Sequence, residues 1–343
     1  MALQDSFVFE VTSRCNHDCL HCYNPWKAPV GYAQPGELPT AETLAMLGKM
    51  LDETGASLVS LSGGEPMLRD DICEIVDFIA GRGLSLNLIT NGSLLSDEAI
   101  ARLVPDKVSI FELPLLSVER EMHDRLSGAP GAFDKVTNAV AELKLREQRV
   151  VVVFVATRLN LPAWRETAEL AVALGADGIM FNRFNPGGKG RENIDLLQAS
   201  PSEVQAALDV AEEMSAAYEM PISCSIAMPP CLFDVDRYER LTFGFCAAGT
   251  ERAYYTLDPV GDVRPCNHSA VVLGNILETS FAELAASQAM SDFKAARPEF
   301  CAGCRLEDEC LGGCKAAAEV CCGSPWKADP FLEAYRSQAV KPG

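Results

Sequence analysis

The chain has 343 residues, with 29 Lys and Arg against 48 Asp and Glu, for a formal net charge of −19. With 48% apolar and 22% charged residues it can bury a large core, roughly two domains' worth, which excludes disorder as the main state. A surface this negative, with no basic patch to offset it, argues against nucleic acid and anionic membranes as partners.

The longest apolar run, Val150 to Ala156, is far too short to cross a bilayer, and Met1-Ala2-Leu3-Gln4-Asp5 lacks the basic and apolar regions of a signal peptide. The expected location is therefore cytoplasmic. In chain order, short apolar runs alternate with amphipathic stretches from residue 7 to about residue 184, the pattern of βα units with a parallel sheet. The expected strands are Phe7 to Val11, Leu58 to Leu61, Leu84 to Thr90, Lys107 to Leu113, Val150 to Ala156 and Gly178 to Phe184. Val150 to Val155 is apolar on both faces, as a strand between helices and a barrel interior requires. Asp71-Ile72-Cys73-Glu74 reads as a capping box opening a helix that Gly81 or Gly83 ends, and Cys73 within it reads as a small core residue. Six βα units are too few to close an eight-stranded barrel. An open, partial barrel follows, with chemistry on loops at the C-terminal ends of its strands.

A helix from Pro201 to about Tyr218 leads into a second region. After Pro229-Pro230 the periodicity weakens, and a hairpin is expected with strands at 254–257 and 262–264 around the turn 258–261. The expected organisation is an α/β barrel unit over 1–225, a small cysteine-rich α+β domain over 226–330 and a loosely held tail over 331–343.

Fourteen cysteines in a reducing compartment point to metal or cluster ligation rather than disulfides. Cys15, Cys19 and Cys22 form C-x3-C-x2-C directly after the first strand. Three thiolates on one tight loop suit three corners of a four-iron cluster and leave one iron open, while a zinc site with His17 or His21 as fourth ligand is the alternative.

This spacing after the first strand of a partial barrel resembles the radical S-adenosylmethionine enzymes. Ser62-Gly63-Gly64-Glu65-Pro66 after the second strand resembles the family's GGEP loop, and Thr90-Asn91-Gly92 after the third a further motif. The resemblance implies that His21 packs near the adenine and that the loop with Gly63, Gly64 and Glu65 meets the methionyl ammonium. Asn91 is then a candidate for the cofactor's sugar or carboxylate. It also implies that a reduced cluster cleaves S-adenosylmethionine to a hydrogen-abstracting 5′-deoxyadenosyl radical. His123-Asp124-Arg125-Leu126-Ser127-Gly128 departs from the family's His-Asp-x-x-Arg-Gly, with Ser127 in place of the arginine near the cofactor carboxylate. Arg183 and Glu112, at strand ends, are the residues left to make such a contact. Asn185 to Gly190 lacks the ending of a phosphate loop and reads as a loop over the barrel mouth.

Cys246, Cys266, Cys301, Cys304, Cys310, Cys314 and the pair Cys321-Cys322 resemble, spacing for spacing, the SPASM extension of a subset of this family. The resemblance implies two auxiliary [4Fe-4S] clusters, hence three in all. Cys246, Cys266 and Cys314 would hold the first, with Cys231 favoured over Cys224 as fourth ligand. Cys301, Cys304 and Cys310 would hold the second, with Cys321 or Cys322; paired zinc knuckles are the alternative. Sulfatase maturases of this group place an aspartate after the second SPASM cysteine, whereas Cys266 is followed by Asn267 and His268. An amide cannot accept a proton, so His268 becomes the candidate catalytic base. The reading is an enzyme that oxidatively modifies a peptide or protein, with ribosomal-peptide maturation first. A tetrapyrrole or small-molecule enzyme, a sulfatase maturase and a non-catalytic electron carrier or zinc scaffold are the alternatives. Few residues precede the first strand, so a separate leader-binding protein or the barrel itself captures the leader, and flavodoxin or ferredoxin supplies electrons.

Overall fold

The computed structural model describes residues 3–28, 33–104, 106–248, 250 and 253–338. Strands and helices alternate as β1 (Ser6–Glu10), α1 (Thr40–Thr54), β2 (Leu58–Ser62), α2 (Ile72–Ala80), β3 (Ser85–Ile89) and α3 (Asp97–Leu103). There follow β4 (Ile110–Pro114), α4 (Arg120–Ser127), α5 (Ala132–Leu145), β5 (Val150–Ala156), α6 (Trp164–Ala173) and β6 (Gly178–Arg183). Neighbours from β1 to β6 pair in parallel, so all six expected strands form, shifted by a residue or two at most ends.

The core lies between sheet and helices. Along β5 the side chains alternate strictly: Val152 and Phe154 are sealed against the helix layer, while Val151, Val153 and Val155 are half-buried on the opposite, barrel-interior face. Phe154 and Phe181 pack on Trp164, with ring centroids 4.5 and 5.0 Å away. The Trp164 indole N–H donates to the Ala207 carbonyl at 3.0 Å, so its one polar atom carries no burial penalty. Burying each of these rings contributes about 2–3 kcal/mol.

The sheet does not stop at six strands. After α7 (Ile194–Leu197) and α8 (Pro201–Tyr218) come β7 (Ile222–Cys224) and β8 (Leu241–Phe243), each parallel to its neighbour beyond β6. On the other edge β9 (Thr256–Leu257) pairs in parallel with β1, and β10 (Asp262–Arg264) and β11 (Gly274–Asn275) follow antiparallel. Among the described residues the result is one open sheet of eleven strands, β11-β10-β9-β1-β2-β3-β4-β5-β6-β7-β8. The expected hairpin is present, and position 225 falls directly after β7, between two strands of that sheet. Three-residue strands such as β7 carry too short a pattern to read from sequence. The rest is α9 (Phe281–Ala285), α10 (Gln288–Ala295), α11 (Glu307–Cys310), α12 (Lys315–Cys322) and α13 (Pro330–Ala334).

Two local expectations change. Asp71 makes no cap bond, because its carboxylate is taken by the buried Arg69 at 2.6 Å. Residues 331 and 332 are not loose: Phe331 and Leu332 are each 1% exposed, and Phe331 stacks on Phe233 at 5.6 Å. Residues 339–343 lie outside the described residues. Among the described residues no helix is long and apolar enough to cross a membrane.

Candidate active site and cysteine groups

The loop carrying Cys15, Cys19 and Cys22 leaves the C-terminal end of β1, and the loops after β2, β3, α4 and β6 close on its backbone. Gly63 and Gly64 serve this contact. Gly64 N–H donates to Thr12 O at 2.7 Å and Glu65 N–H to Arg14 O at 2.8 Å. A Cβ at Gly64 would stand 2.0 Å from the Arg14 carbonyl oxygen, so only glycine fits. The close approach expected here toward a ligand is thus made toward the cysteine loop itself.

Glu65 is fully buried and accepts from Thr90 Oγ1 and Asn91 N–H at 2.7 Å each and from Met67 N–H at 3.0 Å. Burial still raises its pKa, against those three donors. The carboxylate expected to meet an ammonium is therefore engaged inside the protein, where it fixes the start of the loop after β3. Asn91 in turn donates to Asn16 Oδ1 at 2.8 Å, tying that loop to the cysteines. His21 has its Nδ1 buried without a partner among the described residues, and burial pulls its pKa down to about 4.

On the far side, Leu20 N–H donates to Leu126 O at 3.0 Å and Gly190 N–H to Cys22 O at 2.9 Å. The loop from Asn185 to Gly190 thus clamps the cysteine loop. His123 and Asp124 are structural: His123 Nδ1 accepts from Leu116 N–H at 3.2 Å, and Asp124 accepts from Gly131 and Phe133 N–H at 2.6 and 2.8 Å. Arg183 differs from expectation. It is 1% exposed, ion-paired to the fully buried Asp329 at 3.1 Å, bonded to Ala227 O at 2.8 Å and set over the Phe331 ring at 4.9 Å. None of this leaves its guanidinium turned to a ligand in the barrel. Glu112 faces the barrel interior from β4, half-buried, and burial lifts its pKa to about 7.

All fourteen cysteines are free of disulfides. Cys246, Cys266 and Cys314 cluster with Ala248, Phe293 and Ala316. Asn185 Nδ2 lies 3.2 Å from Cys314 Sγ, and Cys321 Sγ lies 3.6 Å from the next carbonyl, Pro186 O. Cys231 is not with them. It lines a cavity of about 140 Å³ together with Cys301, Cys304 and Cys310. Cys322 points elsewhere, into a surface cleft beside Pro298 and Trp326, and Cys224 is in the hydrophobic core. Burial and neighbouring thiols push Cys231 and Cys321 up to about 12 and Cys314 to about 11. Such thiols are protonated at neutral pH, so a metal must displace their protons as it binds. Among the described residues no three Cys, His, Asp or Glu side chains converge as a single ion needs. Sulfurs spread around a space, as Cys231, Cys301, Cys304 and Cys310 are, suit a cluster of several irons.

Between the first cysteine loop and Cys266 lies a polar bridge that the pattern of motifs had not singled out. Tyr23 stacks on His268 with ring centroids 3.9 Å apart, and its hydroxyl accepts from Asn267 Nδ2 at 2.9 Å. Beneath it, Glu10 of β1 and Arg264 of β10 form a buried ion pair, with Arg264 also donating to Ser269 O at 2.7 Å. Burial outweighs the guanidinium and raises Glu10 to about 7. Asn267 and His268 stood out in the sequence after Cys266, whereas Tyr23 carried no signal beyond its place directly after Cys22. Asp329 carried none beyond an Asp-Pro helix start, since its partner Arg183 is far away in the chain.

An open, mostly parallel sheet with a three-thiol loop at its mouth, and further thiol groups at one flank, is the arrangement of a protein built to hold iron–sulfur clusters. Residues 9–171 match the Radical SAM superfamily, and residues 246–305 match SPASM, an iron-sulfur cluster-binding domain. The chain carries a Radical SAM domain and a SPASM domain, and these support S-adenosylmethionine and iron–sulfur clusters as its cofactors. It is 28% identical to an AdoMet-dependent heme synthase of Methanosarcina barkeri over 94% of this chain and 95% of that protein. It is equally 28% identical to a PqqA peptide cyclase of Methylocella silvestris, over 94% of this chain and 85% of the relative. The fold is similar to that of Streptococcus suis SuiB bound to precursor peptide SuiA, with a TM-score of 0.76 at 14% identity over 97% of this chain and 76% of that one. It is also similar to anSMEcpe with bound AdoMet, with a TM-score of 0.72 at 18% identity over 97% and 95% of the two chains.

Proposed function

We propose that this enzyme oxidatively modifies a side chain of a peptide or protein in the cytoplasm, as in the maturation of a ribosomally made peptide. The observation that supports it is the Tyr23–His268 stack, which joins the loop of Cys15, Cys19 and Cys22 to that of Cys266 at the mouth of one sheet. A substrate oxidised at the first loop then has a second redox group within the same wall to receive an electron. The likeness to PqqA peptide cyclases over nearly the whole chain favours a peptide.

In this reading residues 1–225 form the barrel unit and 226–330 the cluster unit, and three [4Fe-4S] clusters are carried by three cysteine groups. Cys15, Cys19 and Cys22 would hold the first cluster, and S-adenosylmethionine bound beside it would supply the organic radical chemistry. The chain's own part is to hold and orient. His21 flanks the adenine with its inward Nδ1, Gly63, Gly64 and Glu65 set the loop against the cysteines, and Asn91 braces that loop from β3. Glu112 stands in the barrel interior, and His268, stacked on Tyr23, is the candidate to take the substrate's proton. A leader-binding partner delivers the peptide, and a flavodoxin or ferredoxin supplies the electron.

Incubating the reduced enzyme with a candidate peptide deuterated at side-chain carbons should transfer deuterium into 5′-deoxyadenosine and leave the peptide short of hydrogen. The equal identity to heme synthases favours a second reading, a tetrapyrrole side chain as substrate. Deuterium arriving from a porphyrin and from no peptide would decide for that one.

A further inference from the structure

The family spacing assigns the fourth ligand of the Cys301 group to the C-terminal pair, and nearness to Cys246 after the Pro229-Pro230 break favours Cys231 over Cys224 for the Cys246 group. The side chains are arranged otherwise. Cys231 follows Pro229-Pro230 in a turn where Leu232 and Phe233 N–H both donate to Pro229 O, at 2.9 and 3.1 Å. Phe233 is buried and stacks on Phe331. That ring pair anchors the turn beside α13, and Leu332 from α13 joins Cys231, Cys301, Cys304 and Cys310 around the cavity of about 140 Å³.

Asp329 sits against the backbone of Cys314. Its Oδ2 accepts from Cys314 N–H at 2.9 Å and pairs with Arg183, while Oδ1 caps α13 through Leu332 N–H at 2.9 Å. A Cβ at Gly313, whose φ is +85°, would come within 2.6 Å of that carboxylate, so the chain passes from Cys310 to Cys314 through a left-handed glycine pressed against Asp329. The segment Asn185-Pro186 touches both Cys314 Sγ and Cys321 Sγ. Adjacent helical side chains diverge, and Cys322 accordingly faces the outer cleft.

We propose that the two auxiliary groups are crossed relative to the family spacing: Cys231 is the fourth thiolate with Cys301, Cys304 and Cys310, and Cys321 is the fourth with Cys246, Cys266 and Cys314. Each thiol gives up its proton as it takes an iron. One auxiliary cluster is then tied to the segment following β7, so that sequence from both sides of the hairpin is needed to hold it. This deepens the three-cluster reading above and rests on it.

The test uses the full chain reconstituted anaerobically. Cys231→Ala should lose about four of roughly twelve irons. The triple variant of Cys301, Cys304 and Cys310 to Ala should lose the same four, and adding Cys231→Ala to it should remove no more. Adding Cys231→Ala to the triple variant of Cys246, Cys266 and Cys314 should remove about four further irons. Cys231→Ser, which keeps an oxygen ligand, should retain iron but alter the electron paramagnetic resonance of one reduced auxiliary cluster. Cys224→Ala controls for core damage and should keep both signals, as should Cys322→Ala. Full iron and an unchanged spectrum in both Cys231 variants, or losses that add to those of the Cys301 group, overturn the crossing. Iron confined to the Cys15 loop in the unaltered chain would instead sink the three-cluster reading, with which the crossing also falls.

Discussion

Tyr23 and His268 stack with ring centroids 3.9 Å apart and planes 23° from parallel, and this contact is the bridge from the first cysteine loop to Cys266. The ring also holds Asn267 through its hydroxyl. Tyr23→Phe should keep the stack and cost about 1 kcal/mol for the unmet amide. Tyr23→Leu and His268→Leu should be non-additive by about 0.5–1.5 kcal/mol, the value of a stacked pair beyond its area. Chemical denaturation of the cluster-loaded protein measures both; strict additivity would mean that the rings merely lie close.

Glu65→Ala leaves Thr90 Oγ1, Asn91 N–H and Met67 N–H without their buried acceptor. At about 1–3 kcal/mol for each unmet buried group, the loss should be at least about 3 kcal/mol. Because Asn91 braces the cysteine loop, the affinity for S-adenosylmethionine in equilibrium dialysis should fall with it. Unchanged affinity in a variant that remains folded would separate Glu65 from the cofactor site.

Gly64→Ala places a methyl 2.0 Å from Arg14 O and 3.0 Å from Cys15 Cβ. Neither atom can retreat without moving the cysteine loop. Iron content should fall by about four, the complement of one cluster, with both auxiliary clusters kept. A full complement of iron would show that the loop can shift and still ligate.

Glu112 has its pKa raised from 4.5 to about 7 by burial. The folded chain therefore holds this proton more tightly than the unfolded chain, and stability falls as pH rises between those values, by up to about 3 kcal/mol. Glu112→Gln cannot ionise and should flatten that fall. Thermal midpoints of wild type and variant, scanned across pH 4.5 to 7 without S-adenosylmethionine, should diverge as pH rises. Parallel curves would mean that the carboxylate reaches water.

Much of the architecture is a property of local pattern. Strands such as Val150–Ala156 and the helix Pro201–Tyr218 occupy the residues expected, because period and caps are written in adjacent positions. The cysteine spacings likewise named the chemistry, since ligands on one tight loop lie close in sequence as well as in space. What the tertiary structure decided is which distant groups meet. Glu65 turns inward to Thr90 and Asn91, Arg183 pairs with Asp329, and Cys231 stands with Cys301. Glu65 and Asn91 belong to neighbouring loops whose side-chain directions are set by packing on the cysteine loop. Arg183 and Asp329 are 146 residues apart, and burial makes each require a partner without saying which. Cys231 stands apart from Cys246 because spacing counts residues along the chain, whereas the Phe233–Phe331 stack seats its turn at the cavity that Cys301, Cys304 and Cys310 line.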